Sequence, residues 1–142
     1  MDIYNIYELN KEIINNTPLQ LNKRLSNKYN CNIFLKREDL QIVRSFKIRG
    51  AYNKINKLTL EEKEKGIVCA SAGNHAQGVA YSCNILNIDS TIFVPENTPP
   101  QKIKSIKKFS NSRCKLFIIG KNFDEAYELS KKYTLEHNKT YI

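Results

Sequence analysis

Long hydrophobic runs, paired cysteines and glycines are all scarce in this sequence. No stretch approaches the roughly 18 to 20 consecutive apolar residues of a membrane-spanning helix, and the N-terminal residues lack the basic and then apolar pattern of a signal peptide. The cysteines lack the CxxC spacing of a zinc site or a redox pair. Glycine occurs five times, without a glycine-rich run that could bind a phosphate. We therefore expect a cytoplasmic protein without a metal site, whose free thiols are Cys31, Cys69, Cys83 and Cys114.

The positive charge of the chain is spread along its length. The formal net charge of +9 raises the alternative of a nucleic-acid-binding protein, because clustered cations gain affinity by releasing counterions from phosphates. The densest group of lysines lies in residues 102–108, where Ile103 and Ile106 have the spacing of the buried side of an amphipathic helix. A solvated helix face explains these lysines better, and we expect neither a nucleic-acid nor a membrane partner.

Short apolar runs alternate with helical patterns along the chain. The runs NIFLKRE, GIVCA, STIFVPE, CKLFII and TYI have the composition of strands. Helices are predicted from Ile3, over Leu21 to Tyr29, and over residues 46–58 (with Ser45 as the cap), 73–86, 99–109 and 122–137. This alternation predicts an α/β fold with a parallel β-sheet flanked by helices. Nothing follows the last strand to cover it, so we expect a truncated or split chain.

The segment VCASAGNHAQGVA, residues 68–80, joins an apolar strand to a helix through small residues. A turn built of Ser71, Ala72, Gly73 and Asn74 leaves backbone N–H groups exposed at a helix N-terminus, where a carboxylate or phosphate binds well. The alternative is an ordinary connection in which Ser71 or Asn74 caps the helix. His75, taken alone, is more typical of a helix start than of a catalytic residue.

Lys47 stands between Phe46 and Ile48 in SFKIRG, whereas the other lysines lie mostly among polar residues. A lysine in apolar surroundings loses its proton more easily, which frees the amine for attack on a carbonyl. The N-terminal end of the predicted helix favours this further, because its dipole disfavours a positive charge. Lys47 is therefore a candidate Schiff-base former. The alternative is an ordinary first-turn lysine that happens to follow Phe46.

Four runs of the sequence together resemble a known family. In this order, LKREDLQIVRSFKIRGAYNKI, ASAGNHAQGVA, VPENTPPQKI and GKNFDEA are similar to the N-terminal third of the threonine (serine) dehydratases. These are pyridoxal-phosphate enzymes with the tryptophan-synthase-β-like fold, and SFKIRGA paired with SAGNHAQG resembles the dehydratase branch. The resemblance implies that residues 41–142 form the small, lysine-bearing α/β domain. Residues 1–40 would be an N-terminal segment that packs on an absent large domain.

The resemblance also implies roles for individual residues. Lys47 would bind pyridoxal 5'-phosphate covalently, Phe46 would pack near its ring, and Asn74 would form a hydrogen bond with its phenolic oxygen. The loop that would receive the substrate carboxylate comprises Ser71, Ala72, Gly73, Asn74 and His75. Within this loop, Ser71 would be a second catalytic proton carrier beside Lys47.

The reaction implied by the resemblance is the deamination of L-threonine to 2-oxobutanoate and ammonia, as in isoleucine biosynthesis, with L-serine giving pyruvate. The chain would act as the N-terminal part of a longer enzyme, and as a homo-oligomer if the large domain complements it. The alternative is a non-catalytic remnant or an anion-binding module. Ile42, Arg44 and the run SNSRC at residues 110–114 depart from the family pattern.

Overall fold

The computed structural model of the protein describes residues 3–142, which fold as alternating helices and strands. In chain order the elements are α1 (Ile3–Asn10), β1 (Leu19–Leu21), α2 (Lys23–Tyr29), β2 (Phe34–Lys36), a 3-10 helix (Glu38–Leu40), α3 (Lys47–Asn56), α4 (Leu60–Glu64), β3 (Ile67–Ala70), α5 (Asn74–Ile85), β4 (Ser90–Val94), α6 (Pro100–Phe109), β5 (Cys114–Ile118), α7 (Phe123–Glu136) and β6 (Thr140–Tyr141). The predicted α/β fold class is confirmed.

Four parallel strands form the central sheet in the order β5-β4-β3-β6. Strands β3 and β4 are buried along their whole length, which explains why β3 is a continuous apolar run and why β4 does not alternate between apolar and polar residues. From β3 the chain moves outward to β4 and β5, and then returns to place β6 on the other side of β3. The direction of winding therefore reverses between β3 and β6, and in open α/β sheets ligands bind at the carboxyl ends of the strands beside such a reversal.

Helices α3, α5 and α6 cover one face of the sheet. Their buried side chains, including Ile55, Val79 and Ile106, pack on Ile67 and Ile92 of the strands. In α6, Ile106 is buried while the lysines around it are exposed, so the lysine-rich segment is a solvated face of an amphipathic helix as predicted. Because α3 and α5 lie against each other on this face, the first turn of α3 approaches the N-terminal half of α5.

The other face of the sheet is covered by α7 through aromatic side chains. Phe93 of β4 packs against Tyr133 of α7 and Phe117 of β5, with ring centroids 5.5 and 5.0 Å apart. Helix α7 begins after Asn122, whose side chain accepts a hydrogen bond from the Glu125 N–H, and its first turn is acidic as the helix dipole favours. The sheet is thus enclosed on both faces, as the parallel topology requires.

The N-terminal region contains a separate two-stranded antiparallel ribbon of β1 and β2. All six residues of these two strands are exposed, and α2 between them has no buried residue. The sequence predicted β2, but it placed Leu21 in a helix rather than in β1, and it gave no separate helix α4. No helix within residues 3–142 is long and apolar enough to cross a membrane.

Candidate active site

The turn between β3 and α5 lies at the carboxyl end of β3, beside the reversal of the sheet. The Ser71 N–H donates to the carbonyl of Phe93 on β4 (3.0 Å), and the Gly73 N–H donates to Ser71 Oγ (3.2 Å). Gly73 is the N-cap residue of α5 and no side chain caps this helix. Neither Ser71 nor Asn74 therefore caps α5, so the alternative of an ordinary capped connection is not what the structure contains.

Gly73 borders open space on the side where a larger residue would carry its Cβ. A Cβ atom built on Gly73 would have no heavy atom of the described residues within 4 Å. The first N–H groups of α5 and the positive end of its dipole lie beside this space, which suits an anion such as a carboxylate. Asn74 is exposed here and His75 is half-buried.

Lys47 is the first residue of α3, and a contact between helices fixes its backbone. A Cβ atom on Gly78 of α5 would lie 3.4 Å from both the carbonyl carbon and the oxygen of Lys47. Gly78 follows Asn74 by one helical turn, so Lys47 lies beside the start of α5. Ser45, which is buried, accepts a hydrogen bond from the Lys47 N–H through its hydroxyl (3.2 Å). The helix thus begins one residue later than predicted, although Ser45 does stabilise its first turn.

The expectation of apolar surroundings for Lys47 is wrong. Its side chain is exposed, whereas Ile48 is fully buried in the core. Successive side chains on a helix point about 100° apart, so neighbours in the sequence do not enclose one another. Phe46 remains an apolar neighbour, since Lys47 Nζ lies 5.6 Å from the centroid of its largely exposed ring.

His75 connects the two halves of the candidate site electrostatically. Burial is the main cause that lowers the pKa of His75, and the positive charge of Lys47 lowers it further. A contact of 3.4 Å between His75 Nε2 and the carbonyl oxygen of Ile142 acts in the opposite direction. Of these influences on the pKa of His75, the charge of Lys47 is the smallest. Within the described residues, no hydrogen bond joins the Lys47 amine to this loop.

The sequence analysis missed a polar cluster formed by Thr17, Glu38, Gln41 and Arg49, of which Arg49 lies two residues after Lys47 in α3. The Glu38 carboxylate accepts two hydrogen bonds from the Arg49 guanidinium, at 2.8 and 2.7 Å. It also accepts one from the Thr17 hydroxyl (2.5 Å) and one from the Gln41 side chain (3.3 Å). These residues are up to 32 positions apart, so no local periodicity could reveal the cluster.

Residues 11–142 match the family described as pyridoxal-phosphate dependent enzyme. The chain belongs to this family. It is 53% identical to the biosynthetic L-threonine dehydratase of Staphylococcus epidermidis and 51% identical to that of Lactococcus lactis, in each case over 99% of this chain. These matches cover 33% and 34% of the two relatives, so the chain spans about a third of the length of the curated relatives that it matches.

Solved structures of the family have the same fold. The processed form of threonine deaminase isoform 2 from Solanum lycopersicum superposes with a TM-score of 0.85 at 35% identity, over 100% of this chain and 43% of that one. Maize serine racemase superposes with a TM-score of 0.86 at 27% identity, over 99% of this chain and 42% of that one. The sheet and helices described above are therefore part of the tryptophan-synthase-β-like fold.

Pyridoxal phosphate is the cofactor of this family, and the residues of the candidate site fit it. An exposed lysine amine and an exposed aromatic ring lie at the start of α3. The neighbouring loop has an exposed amide side chain and the open space beside Gly73 that a Cβ would fill. This set provides a covalent attachment point, an apolar surface and hydrogen-bonding groups.

Proposed function

We propose that this chain provides the lysine-bearing part of an enzyme that deaminates L-threonine to 2-oxobutanoate and ammonia, and also converts L-serine to pyruvate. The observation that carries the proposal is the packing of the Lys47 backbone against Gly78, which brings the start of α3 beside the Ser71–His75 loop. The support from relatives is consistent, since those reported above include dehydratases or deaminases of threonine and a racemase of serine. Among these substrates we favour threonine because of the 53% identity to a threonine dehydratase.

In this proposal Lys47 has two tasks. Its exposed amine attaches the cofactor, and once free it removes the α-proton of the amino acid. When bound, pyridoxal phosphate supplies the electron sink that stabilises negative charge at the α-carbon. Phe46 lies beside the amine and would pack near the cofactor ring, and the exposed Asn74 amide would donate a hydrogen bond to the phenolic oxygen of the cofactor.

The Ser71–His75 loop orients the substrate in this proposal. The uncapped N–H groups at the start of α5 bind the α-carboxylate, and the open space beside Gly73 admits it. Ser71 Oγ already accepts the Gly73 N–H, which holds the hydroxyl at the loop, where it serves as a second proton carrier. The β-hydroxyl takes up a proton and leaves as water, and water then hydrolyses the C=N bond of the dehydrated amino acid to give 2-oxobutanoate and ammonia.

We further propose that residues 41–142 form the small domain and that residues 1–40 pack on a larger domain of a longer, homo-oligomeric enzyme. The exposed β1–β2 ribbon supports this, because a two-stranded ribbon without a core is marginally stable alone. A cytoplasmic location without nucleic-acid or membrane partners agrees with the four free cysteines and the solvated lysines of α6.

The test is covalent trapping at Lys47. The protein is mixed with pyridoxal phosphate, the visible absorption of the lysine-bound cofactor is recorded, borohydride reduction fixes the bond, and peptide mass spectrometry locates the modified lysine. We expect modification at Lys47, and loss of the absorption in Lys47→Ala. Lys54→Ala is the matched control, since Lys54 is an exposed lysine in the last turn of the same helix.

A second candidate function is that of an anion-binding module without catalysis, which the uncapped start of α5 favours. It predicts binding of a carboxylate at the Ser71–His75 loop, equally strong in the native protein and in Lys47→Ala. Modification spread over several lysines, with none preferred, would support this candidate and contradict the enzymatic one.

A further inference from the structure

On the basis of the function proposed above, we propose that Glu38 is a positioning residue that holds the first turn of α3, from which the Lys47 side chain extends, by holding Arg49. Glu38 lies outside the loop and the helix that carry the proposed chemistry. Its carboxylate is nevertheless the centre of the polar cluster that includes Arg49 of α3. Four sets of contacts support this role. They are the paired hydrogen bonds from Arg49 to Glu38, the hydrogen bonds that hold Glu38 itself, the hydrogen bonds of Gln41 on the other side of Lys47, and the separate contacts that hold the Ser71–His75 loop.

Arg49 anchors the segment on the C-terminal side of Lys47. It follows Lys47 by two residues in α3, and its Nε and one terminal nitrogen donate to the two different carboxylate oxygens of Glu38, at 2.8 and 2.7 Å. A two-pronged pair of this kind fixes orientation as well as distance, which a single bond does not. The side chain of Glu38 is only 16% exposed, so water competes little for its oxygens.

Glu38 is itself held by groups outside α3. The hydroxyl of Thr17, a buried residue, donates to one carboxylate oxygen (2.5 Å), and Gln41 Nε2 donates to the other (3.3 Å). With donors on both oxygens, the carboxylate cannot rotate without breaking several hydrogen bonds. Thr17 and Gln41 therefore fix the position of the Glu38 carboxylate. The carboxylate in turn fixes the position of the Arg49 guanidinium.

Gln41 provides the anchor on the N-terminal side of Lys47. Its side chain is buried, accepts a hydrogen bond from the Asn15 N–H (3.1 Å) and donates one to the Asn15 carbonyl (2.9 Å). Only residues 42–48 separate the two anchors. Arg44 in this stretch has a φ of +58°, a conformation that few residues other than glycine adopt, so the path to Lys47 is tightly constrained.

The Ser71–His75 loop is held by different contacts, to Phe93 and Ile142. Because the contact with Gly78 also holds the Lys47 backbone, weakening the hold on Arg49 should loosen the first turn of α3 relative to the loop, while leaving the loop in place. The consequence is a specific kinetic pattern. Proton removal, which depends on the Lys47 amine, becomes slower, whereas binding of the substrate carboxylate is retained.

The experiment compares Glu38→Gln with Asp39→Asn in a polypeptide of the full length of the curated relatives, loaded with pyridoxal phosphate. Glu38→Gln keeps the side-chain volume but replaces one acceptor oxygen with an amide that faces the Arg49 donors. Asp39 is the matched control, because it is the next residue of the same 3-10 helix and forms its own two-pronged pair with Arg37, at 2.9 and 2.8 Å, on the exposed surface.

For Glu38→Gln we expect kcat for threonine to fall by about 10-fold or more, since a displacement of about 1 Å can cost about 100-fold in rate. KM should stay near the native value, and the visible circular dichroism of the lysine-bound cofactor should weaken. Asp39→Asn should leave all three unchanged. Arg49→Lys keeps the positive charge but loses the two-pronged hydrogen bonding to Glu38. It should therefore show the same changes in kcat, KM and circular dichroism, and it provides the test if Glu38→Gln folds poorly.

The outcomes separate this role from the proposed function. Native kcat and native dichroism in both Glu38→Gln and Arg49→Lys would overturn the role of Glu38 alone. Equal losses in Asp39→Asn would show a general effect of the 3-10 helix and would also overturn it. Persistence of covalent cofactor attachment in Lys47→Ala would instead overturn the proposed function, and the role of Glu38 with it.

Discussion

At the scale of single residues, the fold sets the charge states of the groups that surround Lys47. Arg49 is the main cause that lowers the pKa of Glu38 to about 2, and the hydrogen bonds from Thr17 and Gln41 add to this effect. Burial lowers the pKa of His75, so this side chain favours its neutral form. A permanent carboxylate is thus placed where it can hold a guanidinium, and a neutral imidazole where it adds no positive charge to the candidate anion site.

The lowered pKa of Glu38 predicts how its contribution to stability changes with pH. The ordinary value is 4.5 and the folded value is about 2, so the folded protein favours the ionised form. The resulting stabilisation is fully present above about pH 4.5 and is lost as the pH falls toward 2. It amounts to at most about 3 kcal/mol, and screening at the partly exposed Arg49 reduces it.

Glu38→Gln provides the measurement, because glutamine does not titrate. The free energy of unfolding, obtained from urea titrations of both proteins at pH 7, 5, 4 and 3, should differ most at pH 7 and least at pH 3. Asp39→Asn serves again as the control for the 3-10 helix. A difference between native protein and Glu38→Gln that stays constant down to pH 3 would contradict the assignment of a lowered pKa to this carboxylate.

At the scale of elements, the contact between α3 and α5 depends on small residues. Gly78 of α5 packs against Ala51 and the Lys47 backbone of α3, and a Cβ at Gly78 would lie 3.2 Å from the Ala51 Cβ. Gly50, also in α3, is exposed and has no atom of the described residues within 4 Å of a built Cβ. A methyl group added at Gly50 would thus enter open space, whereas a methyl group added at Gly78 would crowd α3.

The two glycines predict opposite effects of alanine on the free energy of unfolding. Gly50→Ala should raise it by about 0.5 to 1 kcal/mol, because alanine loses less backbone entropy in a helix. Gly78→Ala should lower it by about 1 kcal/mol, because the added methyl group forces the two helices apart. Denaturant unfolding of both variants checks this. A stabilised Gly78→Ala would show that α3 yields to the methyl group, and hence that the position of Lys47 is not fixed by this contact.

The elements also show what the sequence could reveal and what it could not. Strands β3 and β4 were predicted because buried parallel strands do not alternate between apolar and polar residues, and β5, which is not buried, was predicted from its largely apolar composition. Strand β1 was missed because its three residues are all exposed and give no alternation. Helix α4 buries nothing either, but its capping box of Thr59 and Glu62 was a readable signal.

The candidate site, too, was predictable from the sequence only in part. The anion-binding turn at Ser71 followed from local chemistry, since small residues between a strand and a helix expose N–H groups. The pairing of this turn with Lys47 came from family resemblance, because it depends on how α3 packs on α5. Glu38 and Arg49 are joined by a tertiary contact across the Lys47 segment, and neither the spacing nor the periodicity of the sequence indicates it.

At the scale of the whole molecule, the described residues divide into a region with a core and a region without one. The parallel sheet buries apolar side chains on both faces. In the β1–β2 ribbon, by contrast, Leu19, Leu21, Phe34 and Leu35 are all exposed. The chain spans about a third of the length of its curated relatives, which agrees with the proposal that residues 1–40 pack on a larger domain.

Amide hydrogen exchange tests this division. In the 142-residue chain, amides of residues 19–21 and 34–36 should exchange far faster than those of β3 and β4, because opening the exposed ribbon costs little free energy whereas opening the sheet disrupts the core. In a polypeptide of the full length of the curated relatives, the ribbon amides should become protected while the β3 and β4 amides stay protected in both, as an internal control. Ribbon amides that exchange as slowly as those of β3 in the 142-residue chain, or that stay unprotected in the longer polypeptide, would contradict the packing proposed for residues 1–40.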